Sequence, residues 1–243
     1  IVSVIRDVTE MRRLERVRRD FVANVSHEMR TPLTNIIGYA ETLRDQGGES
    51  PTAERFLGVI RNNAKKLVAT VENLMHLSRL EQMGGEVDLE PVNPLSALNE
   101  ARSASRLLMD EKGLKVQVTF PQEPLKVMAD RNYLETIFRN LIDNAVRYSP
   151  ENGLVGITGE LGDNRAVFCV TDQGPGIPRS EREKVFERFY RSPGQDAKGK
   201  GDGSGLGLAI CRHALKVMGG YIWVDDPSAD EHGARFCFSL ALA

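Results

Sequence analysis

Residues 130–148 read Asp-Arg-Asn-Tyr-Leu-Glu-Thr-Ile-Phe-Arg-Asn-Leu-Ile-Asp-Asn-Ala-Val-Arg-Tyr, and they decide how the second half of the chain folds. Asp130 stands where a helix N-cap belongs, ahead of a run free of glycine and proline up to Tyr148. At about 100° per residue, Leu134, Ile137, Phe138, Leu141, Ile142 and Ala145 fall on one apolar face. Asn140, Asn144 and Arg147, at i, i+4 and i+7, form a narrow polar stripe along its edge. Asparagine is a middling helix former, so two of them beside a buried face need a reason. An amide oxygen can ligate a hydrated Mg²⁺ that also holds phosphates, and Arg147 can neutralise phosphate charge. An ordinary helix flank shows the same residues, so the stripe takes its meaning from its surroundings.

Those surroundings are dense in glycine, with eight of the 22 glycines between Asp172 and Gly207. Asp172-Gln173-Gly174-Pro175-Gly176-Ile177 follows an apolar strand over residues 166–171. Its carboxylate can accept a hydrogen bond from an adenine amino group while the glycines let backbone approach the base. Gly203-Ser204-Gly205-Leu206-Gly207-Leu208 opens a helix over residues 205–218, and glycines there present N–H groups and the positive dipole end to phosphates. One such motif is weak evidence. Two of them, joined by a Gly/Lys/Asp run over residues 194–203 that can close as a lid, are much stronger. Between them, Phe186-Glu187-Arg188-Phe189-Tyr190-Arg191 supplies aromatics to seat the lid's base and arginines to reach a terminal phosphate. Further strands are expected at residues 116–120, 221–224 and 235–242, without a regular βαβ repeat, which favours an α+β sandwich.

The first third of the chain has a different character. Residues 11–46 carry Leu14, Val17, Phe21, Val25, Ile36 and Leu43 near heptad spacing, interrupted by Pro32, and residues 46–51 read as a turn. A second helix over residues 52–83 carries Phe56, Ile60, Asn63, Leu67, Thr70, Leu74 and Leu77 in 4-3 alternation, a bundle seam with Asn63 and Thr70 as register-setting polar positions. One antiparallel hairpin leaves such a seam open to water, so a homodimer closing a four-helix bundle is expected. Gly84 and Gly85 end the hairpin, and Pro91 and Pro94 read as a linker.

Length and composition fit this division: 243 residues, 41% hydrophobic, 27% charged and a net charge of −2 describe one or two ordinary globular domains. A broad nucleic-acid-binding face is not favoured by that charge balance. Cys169, Cys211 and Cys237 are far apart and flanked by apolar residues, which points to reduced core thiols. No stretch is apolar enough to span a membrane, so any membrane link lies upstream, and Ile1 in place of Met points to a longer parent protein.

Within the first helix lies Ser26-His27-Glu28-Met29-Arg30-Thr31-Pro32-Leu33. Heptad counting from Leu14 puts Glu28 at a core-type position and His27 beside it, near the surface. An exposed neutral imidazole is a competent nucleophile, and Glu28 can bond Nδ1 through local rotamers while Nε2 stays free. Pro32 removes the helical partner of the Glu28 carbonyl and weakens the helix there.

Taken together, these motifs resemble the catalytic core of a bacterial sensor histidine kinase. Residues 27–33 are similar to that family's H box, with Met29 where leucine is commoner, and residues 140–144 to its N box. Residues 172–177 resemble the first glycine box, 186–191 the F box and 203–208 the second glycine box, all in family order. The resemblance implies three parts: residues 1–11 as the tail of an upstream PAS-like sensory domain, 12–86 as the dimerisation and histidine phosphotransfer domain, and 87–243 as an ATP-binding α/β sandwich of the Bergerat type. It is closest to the subgroup that includes phosphate-regulon sensors.

The activity so implied is autophosphorylation of His27 from MgATP, followed by transfer to an aspartate on a response-regulator receiver domain. Glu28 would act as acid/base, and Thr31 would place a water for dephosphorylating the regulator, making the enzyme bifunctional. Asn140 and Asp172 would lie in the nucleotide pocket, Asn144 would hold Mg²⁺, and Tyr148 would border the adenine. Arg147, Gly174, Gly176, Ile177, Arg188, Arg191, Gly203, Ser204, Gly205, Leu206, Gly207 and Leu208 complete the implied ATP site. The core would be the cytoplasmic portion of a protein anchored in the bacterial inner membrane. ATP-hydrolysing relatives of the fold carry glutamate at the position of Asn140, and an amide cannot replace it as the base that activates water. Transfer to a side chain is therefore favoured over hydrolysis.

Overall fold

The computed structural model describes residues 9–45, 51–82, 87–121, 125–192, 204–226 and 232–243, and the chain forms two compact units, Ile1–Glu72 and Asn73–Ala243. The expected turn over residues 46–51 lies outside the described residues except for Pro51, as do the PAS-like residues 1–8, Gly84, Gly85 and the run 194–203.

The first unit is built from helix α1 (Thr9–Asp45) and most of α2 (Pro51–Gln82). α1 begins at Thr9, so its first turn overlaps residues 9–11. It also runs unbroken through Pro32, which is buried, so the proline costs one hydrogen bond without ending the helix. Every seam position of α2 from Phe56 to Leu77 is half-buried or buried. Tyr39 packs on Phe56 with ring centroids 5.1 Å apart. Asn63 sets register as expected, accepting from Asn35 Nδ2 at 3.4 Å while its own Nδ2 donates to the Val59 carbonyl. Thr70 instead satisfies itself within its helix by donating to the Lys66 carbonyl. The outer faces keep Val22, Ile37, Leu57, Val68 and Val71 exposed, so one hairpin leaves much apolar surface in water.

In the second unit, strands β1 (Glu90–Val92) and β3 (Val127–Ala129) form a small antiparallel sheet. β2 (Lys115–Thr119), β4 (Leu154–Leu161), β5 (Arg165–Thr171), β6 (Tyr221–Asp225) and β7 (Arg235–Ala241) form a second sheet in the order β2-β4-β5-β7-β6. Only the β2–β4 pair is parallel. Helices α3 (Pro94–Glu111), α4 (Arg131–Tyr148) and α5 (Gly207–Val217) complete the layers, with α4 between α3 and α5 and against β5.

The expected linker at residues 91–94 is not one. Pro91 lies in β1, and Pro94 opens α3, where its fixed φ suits the first helical position and Asn93 Oδ1 accepts from Leu95 N. β4 went unread because its pattern is broken by Gly156 and Gly159, and Gly159 is needed where a Cβ would come within 3.1 Å of the Phe120 ring. The reduced-thiol expectation also fails for two of the three cysteines. Cys169 and Cys237 face each other across β5 and β7 and are joined as a disulfide, leaving Cys211 as the free, buried thiol. Sequence spacing hid the pair because 68 residues separate two positions that the sheet register makes adjacent.

The core centres on Phe138. Its ring meets Phe168 of β5 at 5.9 Å and Phe238 of β7 at 5.3 Å, both edge-on, and all three are fully buried. Replacing a fully buried aromatic leaves a cavity that close packing cannot refill. Phe138→Ala is expected to cost about 3–5 kcal/mol of unfolding free energy, read by urea denaturation, with a loss under 1 kcal/mol counting against this role.

Candidate functional site

The apolar face of α4 dictates where its polar stripe goes. With Leu134, Ile137, Phe138, Leu141 and Ile142 fully buried, Asn140, Asn144, Arg147 and Tyr148 are left half-buried along the helix edge. Asp130 caps the start, its Oδ1 accepting from Asn132 N at 2.9 Å and Tyr133 N at 3.1 Å.

α4 touches both glycine motifs. Gly207, the first residue of α5, lies so near Asn140 that a Cβ there would stand 2.8 Å from its Oδ1. Toward the other end, a Cβ on Gly174 would meet the Tyr148 carbonyl at 3.0 Å. Asn140 and Tyr148 are eight residues apart, so the edge between the two contacts is about 12 Å long. α5 starts without any side-chain cap, unlike α3 and α4, so its first N–H groups remain available to an anion. Leu206, read as a ligand contact, is fully buried and anchors the motif from behind. Ser204, Gly205, Gly207 and Leu208 are half-buried, whereas Gly203 lies outside the described residues.

Asp172 sits at the end of β5, 3% exposed. Its Oδ1 accepts from Gly174 N at 2.7 Å and Ala234 N at 3.2 Å, which leaves Oδ2 for a donor from a ligand. Burial raises its carboxyl above the ordinary 3.8, against the two backbone N–H groups that lower it. Gly176 takes a φ of +75° beside it, with Ile177 half-buried next in line.

The segment after this motif is fastened to the sheet. Asp226, at the end of β6, pairs with Arg182 and with Arg179 Nη2 at 3.0 Å, and these guanidinium groups hold its carboxyl below the usual range. Ser192 bonds Glu181, and Phe186 packs edge-on against Phe236 at 6.2 Å. Phe189 N donates to the Gly205 carbonyl at 2.9 Å, tying the aromatic motif to the second glycine motif. Arg188 and Arg191 are half-buried on this segment, each with an interaction of its own.

In the helical unit His27 is exposed and Glu28 half-buried, as the heptad count requires. Successive residues point about 100° apart on a helix, so a His27–Glu28 bond would depend on local rotamers. Thr31, one turn on and exposed, donates its hydroxyl to the His27 carbonyl at 3.4 Å.

Two family models match the chain: the His Kinase A (phospho-acceptor) domain over residues 17–82, and the histidine kinase-, DNA gyrase B- and HSP90-like ATPase over residues 129–243. The chain belongs to the sensor histidine kinases. Over 243 residues it is 33% identical to the sensor histidine kinase WalK of Bacillus subtilis, covering 99% of this chain and 39% of WalK. Thus it spans well under two thirds of that relative. The solved complex of histidine kinase ThkA with response regulator TrrA matches at a TM-score of 0.75 and 25% identity, over 99% of this chain and 69% of that one. Full-length ShkA, solved with AMPPNP, matches at a TM-score of 0.66 and 29% identity, over 92% of this chain and 46% of that one.

Two residues of this kinase core escaped the sequence reading. Gly233, with φ +124°, passes so close to Asp172 that a Cβ would stand 1.8 Å from its carbonyl oxygen, a demand visible only once β5 and β7 are paired. Lys112 Nζ donates to the carbonyls of Val146 at 2.7 Å, Arg147 at 3.0 Å and Ser149 at 3.3 Å, closing the C-terminal end of α4 with a positive charge. The Cys211 thiol, behind Asn140, is pushed up to about 12 by burial and stays protonated. For a divalent cation the cleft offers the Asn144 amide, and among the described residues no cluster of three His, Cys, Asp or Glu side chains exists. That donor set fits a hydrated Mg²⁺ carried mainly by phosphates and not a protein cage.

Because burial raises the Asp172 carboxyl, the folded chain holds its proton more tightly than the unfolded chain does. Its contribution to stability therefore falls as pH climbs from 3.8 through the raised folded value. Asp172→Asn keeps an oxygen for both N–H groups and removes that loss. Its stability relative to the unaltered chain should rise between pH 4 and pH 7 in urea denaturation; a difference independent of pH would contradict the assignment.

Proposed function

We propose that this chain is the core of a protein histidine kinase that phosphorylates His27 from MgATP and passes the phosphoryl group to a response-regulator aspartate. The observation that carries this reading is α4 bridging the two glycine motifs, with Asn140 against Gly207 and Tyr148 against Gly174. An adenine fits the Asp172 end, where Oδ2 accepts its amino group. Phosphates fit the uncapped start of α5, with Arg147, Arg188 and Arg191 as counter-charges. Mg²⁺ bound to the phosphates and the Asn144 amide would offset their negative charge. The nucleotide analogue in ShkA and the regulator bound to ThkA support the two partners.

His27 Nε2 attacks the γ-phosphorus, an N–P bond forms as the bond to the bridging oxygen breaks, and ADP leaves with that oxygen. Glu28 turns to Nδ1 as the segment adjusts and takes up the imidazole proton. The cleft supplies position and charge in place of a base for water, in keeping with Asn140. Thr31, exposed one turn from His27, positions water for the reverse task of removing phosphate from the regulator.

Two chains close the open seam into a four-helix bundle, so the working unit is a homodimer. Among the described residues no helix is long and apolar enough to cross a membrane. The core belongs to the cytoplasmic side of a protein anchored in the inner membrane by other segments, with a PAS-like domain ahead of α1, in the subgroup of phosphate-regulon sensors.

Incubation with γ-labelled ATP should yield an acid-labile, base-stable phosphoprotein that is lost in His27→Ala. Label persisting in that variant would sink the proposal. Thr31→Ala should keep the label within about twofold yet slow regulator dephosphorylation at least tenfold, and equal loss of both would assign Thr31 to helix structure alone.

A further inference from the structure

The disulfide between Cys169 and Cys237 lies three residues from Asp172, just past β5, and three from Ala234, just ahead of β7. Those same two strands hold the carboxylate, through Asp172 N to the Ala234 carbonyl at 2.9 Å and Ala234 N to Asp172 Oδ1 at 3.2 Å. In an antiparallel ladder hydrogen-bonded and non-hydrogen-bonded pairs alternate. Counting back from the bonded Asp172–Ala234 pair makes Cys169–Cys237 a non-bonded pair, in which side chains come closest, and its Cα atoms are 4.1 Å apart. The sulfur bridge thus ties β5 to β7 three residues from the pair that holds the carboxylate.

The bridge lies on the face of the sheet turned away from α4. Phe168 and Phe238 point to α4, so their neighbours Cys169 and Cys237 point to the opposite face. There the register sets them in a row, Thr158–Cys169–Cys237–Trp223, across four strands. The cysteines are 3% and 0% exposed, but Thr158 and Trp223 at either end are half-exposed. The row thus ends in partly exposed side chains on both sides of the bridge. A disulfide inside a thiol-rich cytoplasm is seldom a permanent fixture and is more often a responsive one.

We propose that Cys169 and Cys237 are a redox-modification site whose state sets how firmly Asp172 holds the purine of a bound nucleotide. Oxidation uses a low-molecular-weight disulfide of the glutathione type. One cysteine thiolate displaces a thiol from it, giving a mixed disulfide, and the second cysteine displaces the other thiol. The pair loses two electrons and two protons, which appear in two S–H groups of the released thiols. Reduction reverses both exchanges. With the bridge closed, β5 and β7 are locked beside Asp172 and the Ala234 bond is kept; with it open, the strands relax and the carboxylate loosens. This inference rests on the nucleotide reading above.

The test equilibrates the full 243-residue chain in glutathione buffers from oxidising to reducing. Each sample is unfolded in alkylating reagent, and mass spectrometry counts its thiols. The fluorescence of Trp223, the chain's only tryptophan, follows the same transition in the folded protein. Titration calorimetry with MgATP measures affinity at both extremes. One free thiol should give way to three, and the reduced form should bind ATP at least threefold more weakly. Cys211→Ala should keep the response, and the Cys169→Ala/Cys237→Ala double variant should bind ATP like the reduced form in every buffer. Three thiols in every buffer, or equal affinity in both states, would overturn the proposal. Absence of ATP binding in both states would overturn the nucleotide reading and the coupling with it, while a shifting thiol count would still identify the redox pair.

Discussion

The wedge of Phe138 between Phe168 and Phe238 governs the second unit. A helix packed by one ring against two adjacent strands cannot rotate without pulling that ring out of the core. Its rotation places Asn140, Asn144 and Arg147 at the cleft edge, and its length places Asn140 and Tyr148 at the two glycine motifs. Glycine at 174 and 207 then follows from distance, since a Cβ at either position would push into α4 or its side chains. Lys112 completes the frame by satisfying three carbonyls at the helix end nearest the Asp172 loop.

The helical unit obeys a different constraint. Its seam is half-buried by one partner helix, and Asn63 fixes which residues of α1 and α2 stand opposite each other through its bond to Asn35. The same heptad geometry that buries Glu28 partway leaves His27 in solvent. Pro32 does not break α1, because burying its ring recovers apolar area that offsets one missing hydrogen bond.

What could be read in advance had a local physical signature. The cap at Asp130, the two long helices, the central strands and the spacing of the site motifs all depend on residues within a few turns of one another. What went unread lacked one. α3 was hidden because Pro94 reads as a breaker unless one knows that it occupies the first helical turn. The burial of the Leu206 side chain in the core was equally hidden within its glycine motif. The roles of Lys112 and Gly233 rest on partners distant along the chain, so their own neighbourhoods carry no sign of them.

By itself the sequence determined the helical hairpin, the α+β character of the rest, the exposed histidine and the glycine motifs that mark a nucleotide cleft. Those properties follow from periodicity and from short-range backbone preferences, which a few consecutive residues contain. Only the tertiary structure decided that Cys169 meets Cys237, that Gly233 crosses over Asp172 and that two backbone N–H groups meet one oxygen of this carboxylate. Each depends on the register of β5 against β7. Register is chosen by the packing of the whole sheet against α4, and no single segment encodes it.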